Sequence, residues 1–147
     1  MNSFRVGCAI ILLALAGMAT AQDRPYTEGP VTMVTAVKVM DGQYENYMKY
    51  LDKTWRQAMG ASKEAGVITG YRVYNASPRR ADDADLYLVV TYPNMAMLDG
   101  MDAKMDPIMA KVMKMNLAQR EEAAGKRTVM RTILGTEMIR EMVFAAP

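Results

Sequence analysis

Histidine is absent from the 147 residues, and cysteine occurs once, as Cys8. These absences remove whole mechanisms. A Ser/His/Asp triad and a His-ligated haem need an imidazole, and a Cys nucleophile or Cys/His zinc site needs a thiolate. Cys8 stands inside an apolar leader, so a chain that has shed the leader has neither group. A one-sided charge is also missing: 18 Lys+Arg face 16 Asp+Glu and are interspersed. No basic block marks a nucleic-acid footprint, so no nucleic-acid partner is expected. No glycine-rich phosphate loop follows an expected strand, which leaves nucleotide binding unsupported.

What is present begins with "MNSFRVGCAIILLALAGMATAQ". Arg5 precedes an apolar run from Val6 to Met18, followed by Ala19-Thr20-Ala21. A basic start, a short apolar middle and a small-x-small site are the layout of a secretory signal peptide. The run falls short of the roughly 20 residues that cross a bilayer. The expectation is a signal peptide over 1–21, a flexible lead over 22–30 ("QDRPYTEGP") and one domain over 31–147. The protein should then be exported, periplasmic or extracellular, with no stable membrane insertion after cleavage.

Along the domain, "VTMVTAVKV" (Val31 to Val39) is β-branched, apolar and unbroken, which predicts a strand. Asp41 is a candidate N-cap for a helix. Its stripe is Tyr44, Tyr47, Met48, Leu51, Trp55, Ala58, Met59 and Ser62, with Gly66 as a left-handed C-cap. Val67 to Ser77 and Ala84 to Pro93 predict a hairpin around the charged turn Pro78 to Asp83. Asn94 caps the next helix, and Asp106-Pro107 reads as the start of another, giving helices over 95–105 and 107–123 with Gly125 as the stop. Arg127 to Phe144 is one long strand or two joined at Gly135.

The order β-α-β-β-α-β predicts an α+β, ferredoxin-like fold, an antiparallel sheet with its helices on one face. Met33, Val37, Val39, Leu86, Leu88 and Val90 fall on one side of the sheet. Val34, Ala36, Tyr87 and Val89 fall on the other. Helices cover only one side, so a second copy is expected to cover the other, as a homodimer.

The entries "VKVMDGQYENY" and "VVTYPNMAMLDGMD", with this element order, resemble the dimeric α/β-barrel superfamily over Val31 to Phe144. That superfamily includes antibiotic-biosynthesis-monooxygenase-like and NIPSNAP-like domains. The resemblance implies two sheets closing a barrel across a dimer, with ligands in a cleft between helices and sheet. It also implies a cofactor-independent oxygenase as an alternative activity. The family's haem-degrading members rely on a histidine that this chain lacks.

Chemistry has few other carriers. Met97, Met101, Met105, Met109 and Met113 recur every four residues beside Leu98, Ile108 and Val112. Packing of a core stripe explains this spacing. The alternative is a Cu(I) site at Met97, Met101 and Met105, because soft thioethers select that ion. Two acidic groups, Asp82/Asp83/Asp85 and Asp99/Asp102/Asp106, lie beside basic residues and read as solvated faces. Arg72 and Tyr74 share a strand face, and Arg131 and Glu137 interrupt an apolar strand. A guanidinium inside a sheet needs an anion or a carboxylate. Trp55, Arg72, Tyr74, Arg131 and Glu137 are therefore the candidate ligand-binding residues, with an Arg–Glu137 pair across strands or a dimer, or snorkelling of the arginines to the rim, as the purely structural reading. The function expected is binding of a small, partly apolar organic ligand without a cofactor. Whether the protein is an enzyme stays open at this point.

Overall fold

The computed structural model describes residues 24–144, so the expected signal peptide over 1–21, with Cys8, lies outside the described residues. β1 (Tyr26–Val39) is followed by helix α1, one continuous course of three stretches: Tyr44–Tyr50, Leu51–Trp55 and Arg56–Glu64. The hairpin β2 (Gly70–Asn75) and β3 (Leu86–Tyr92) comes next. A 3-10 turn (Met95–Leu98), α2 (Met101–Met113), α3 (Leu117–Lys126), a second 3-10 turn (Arg127–Val129) and β4 (Arg131–Phe144) complete the chain. All pairings are antiparallel in the order β2-β3-β1-β4. This is the ferredoxin-like α+β arrangement the pattern predicts. No helix among the described residues is long and apolar enough to cross a membrane.

β1 begins earlier than the sequence indicates. Tyr26, Thr27 and Glu28, assigned to a flexible lead, pair with Phe144, Val143 and Met142. Pro30 is tolerated because the ladder is interrupted there, between Glu28 and Val31. β4 is one strand, and Gly135 marks a bulge: Ala36 pairs with Gly135 but Val37 with Ile133, leaving Leu134 as the extra residue.

The α1 stripe is buried at Tyr47, Leu51, Ala58, Met59 and Ser62. A step of four along an α-helix overshoots a full turn by about 40°. The wider π-helical turn at Leu51–Trp55 offsets that drift between Leu51 and the stretch Arg56–Glu64, where Ala58, Met59 and Ser62 are again buried. Asp41 does not cap this helix. The chain turns there through Gly42 (φ 72°), and the helix starts after Gln43 without a side-chain cap. At the far end Gly66 takes φ 74°, its amide donating to Lys63 and that of Val67 to Ser62, both at 3.0 Å. That closes the helix as expected.

The methionine stretch breaks elsewhere than at Asp106-Pro107. Pro107 lies inside α2, and Gly125 lies inside α3. The actual joints are Gly100 (φ 62°) and Lys114 (φ 53°). Asp106 caps nothing there; its carboxylate accepts from Arg120 at 2.9 Å, a partner distant in sequence. Asn116 begins α3 through a reciprocal capping box with Gln119. Asn94 does cap, accepting from the Met97 amide at 3.2 Å.

The helices cover one face of the sheet. Val37, Val39, Leu86 and Leu88 pack on Tyr47 and Leu51. Ala58, Met59, Val67 and Ile68 form a second cluster, joined by Met97, Met101, Met105 and Met109. Each Val or Leu so buried stabilises the fold by about 1.5–3 kcal/mol. Residues of the opposite parity, including Val34, Ala36, Tyr87 and Val89, belong to neither cluster.

Candidate functional site

The helix layer holds a cleft of about 400 Å³ between α1 and the α2–α3 end. α1 supplies Tyr50, Lys53, Thr54 and Gln57; the end of α2 and the joint after it supply Val112, Met113 and Met115. Ala123, Lys126, Arg127 and Met130 complete the lining. Lys53 and Thr54 reach it from the π-helical stretch. The lining carries three cations and no carboxylate.

Two arginines follow from the turn that feeds β4. The Arg127 guanidinium lies 4.9 Å from the Tyr50 ring centre, a cation–π contact. Tyr50 stacks on Tyr47 at 5.9 Å, and Arg131 lies beside the Tyr47 hydroxyl. Burial pushes the Tyr47 phenol upward, and the nearby Arg131 and Arg127 only partly oppose it. Tyr47 is 1% exposed, so it supports the site from beneath. The Nε atoms of Arg120, Arg127 and Arg131 are enclosed without a hydrogen-bond partner among the described residues. Arg120 has its ion pair with Asp106, whereas Arg127 and Arg131 have no ion pair among the described residues.

The five residues singled out from the sequence do not form one site. Trp55 packs edge-on against Tyr71 at 5.6 Å and shares a cleft of about 290 Å³ with Arg72 at the β2 edge. Arg72 also lines a depression of about 300 Å³ on the open sheet face with Tyr74, Thr32 and Val89. Glu137, on β4, pairs with Val34 on that open face, with β3 and β1 between it and β2. Arg131 pairs with Val39 on the helix-covered face, so an Arg131–Glu137 pair across strands of one chain is not formed. Arg72 and Glu137 likewise make no ion pair among the described residues.

Tyr50, Lys53, Lys126 and Arg127 were not singled out by sequence reasoning. Their only local signal is the spacing of Tyr47, Tyr50 and Thr54 on one helical face. Met97, Met101 and Met105 are half-buried against apolar neighbours, and Ser62 Oγ approaches Met105 Sδ at 3.6 Å. Among the described residues no group of three His, Cys, Asp or Glu side chains is placed to hold a metal. The acidic tip is partly structural: Asp83 accepts from the Arg79 and Arg80 amides at 3.0 Å, and Asp85 pairs with Lys38 at 3.0 Å.

No family model and no curated protein matches the chain. Solved structures do. HapK from Hahella chejuensis matches at a TM-score of 0.51 and 12% identity, over 80% of this chain and 99% of that one. A dimeric ferredoxin-like protein from an uncultured marine organism matches at 0.49 and 10%, over 82% and 91%. A conserved protein of unknown function from Bacteroides thetaiotaomicron, described as a possible oxidoreductase, matches at 0.45 and 15%, over 78% and 100%. At such identities the likeness is one of fold. With its β2-β3-β1-β4 sheet and one-sided helix layer, the chain has the ferredoxin-like α+β fold.

Proposed function

We propose that this protein binds a small, partly apolar organic molecule in the cleft between α1 and the α2–α3 end. The observation that carries the reading is the cleft itself. It has about 400 Å³ of room, apolar surface from Val112, Met113, Met115 and Met130, and a few polar groups around it. Ligand sites have this mix of size and lining. Methionine suits such a surface, because its flexible thioether adapts to more than one shape.

The test uses the neutral fluorophore N-phenyl-1-naphthylamine. Saturable binding is expected, and Ala123→Trp, which puts an indole into the lining, should abolish it. Equal binding by both proteins would sink the reading.

A second reading concerns assembly and export. The open sheet face carries Val34, Ala36 and Val89, with Tyr74 50%, Tyr87 37% and Ile139 48% exposed. A second copy laid on that face would bury these side chains, as the sequence pattern anticipates. Export after removal of residues 1–21 belongs to the same proposal. Light scattering on protein recovered from the cell envelope should give a dimer whose amino terminus is Gln22; a monomer or an uncut leader rejects the corresponding half.

A further inference from the structure

We infer that the cleft selects an aromatic monoanion, with Arg127 and Lys53 taking its carboxylate or sulfonate. This rests on the cleft being the binding site proposed above. The charge of the lining carries it furthest: Lys53, Lys126 and Arg127 face the cleft, and no Asp or Glu does. Lys126 already has a carboxylate, Glu122 at 2.6 Å, one turn earlier on its own helix. Lys53 and Arg127 have no ion pair among the described residues.

Arg127 is also held in place. Its guanidinium lies against the Tyr50 ring, and its Nε is enclosed without an acceptor. A guanidinium presents several donors in one plane, and a planar anion accepts two of them at once. Fixing that plane against an aromatic ring reduces the entropy lost when the anion docks. Lys53 approaches from the π-helical turn of α1 and supplies a mobile second charge. The rest of the lining sets the body of the ligand. Tyr50, Met113, Met115 and Met130 present a ring and three thioethers, which pack well on an aromatic face.

The experiment compares two probes with the same aromatic body. One is the anion 1-anilinonaphthalene-8-sulfonate and the other is neutral N-phenyl-1-naphthylamine. Wild type should bind the anion about tenfold more tightly, the worth of one good charge-assisted contact. Arg127→Met should remove that preference, read as the ratio of the two probes' affinities in the same variant, and Arg127→Lys should restore part of it. Should Arg127→Met fail to fold, Lys53→Met, an exposed change on α1, carries the same comparison. Equal affinity for the two probes in wild type overturns the anion selectivity and leaves the cleft reading standing. So does a preference that survives both substitutions. Failure of both probes to bind overturns the cleft reading, and the selectivity with it.

Discussion

Arg120 of α3 closes on Asp106 of α2 with a 2.9 Å ion pair, although fourteen residues separate them. The arginine side chain is 13% exposed and the aspartate 48%, so the two ends of the pair are unequal. Removing the acid strands a mostly buried guanidinium. Removing the base exposes an aspartate that water already reaches.

Asp106→Ala should therefore destabilise the protein by about 1–3 kcal/mol, and replacing both partners by apolar residues should cost less than Asp106→Ala alone. Urea unfolding of the two single variants and the double variant measures this. Additive losses would mean that the pair does not tie α3 to α2.

Asp85 gives a prediction in pH. Burial alone would raise its carboxyl, but the Val39 amide at 2.8 Å and the Lys38 ammonium at 3.0 Å outweigh that and hold it below the usual range. A carboxyl lowered in the folded state contributes stability above the unfolded value, about 3.9. That contribution is lost as pH falls through the folded value. Asp85→Asn should cost about 1–2 kcal/mol at neutral pH. The gap from wild type should close in acid. Urea midpoints across the pH range read it, and a gap that stays constant would show that the ionised carboxylate is not the source.

The methionine ladder gives a third. Met97, Met101 and Met105 pack beside Ala58, Met59, Val67 and Ile68. Leucine at all three positions conserves volume, so each change should cost less than about 1.5 kcal/mol. Cu(I) titration against a chelator should give the same result before and after the triple substitution. A marked loss of Cu(I) affinity would revive the thioether site.

Much of the fold is legible in the residues. Alternation in Val31 to Val39 and Leu86 to Tyr92 sorts the sheet into two apolar faces, and the stripe from Tyr47 to Ser62 supplies a helix for one. Gly66 and Asn94 mark helix ends because their signals are local, a left-handed turn and a side-chain cap. Asp106-Pro107 carries an equally local signal and misleads. Its carboxylate is claimed by Arg120, and a single missing amide at Pro107 is offset by the packing of Ile108, Met109 and Val112.

The candidate site was much less legible. Trp55, Arg72, Tyr74, Arg131 and Glu137 stand out as charged or aromatic residues within apolar elements, yet the sheet sends Arg131 and Glu137 to opposite faces. The bulge at Leu134 shifts the alternation between them. A one-residue shift of that kind reverses which face a side chain meets, and Gly135 signals an irregularity there without saying which residue is extra.

By itself the sequence determined the chemistry: no imidazole, a single thiol at Cys8, and an apolar pattern that suits a four-stranded sheet with one-sided helices. Tertiary structure alone decided that Tyr50 and Lys53 would meet Arg127 across a cleft. The reason is physical. Periodicity is a property of one element and is written along the chain. A cleft is a property of several elements, and its lining depends on the π-helical turn, the joints at Gly100 and Lys114, and the Asp106–Arg120 pair that sets how α3 returns.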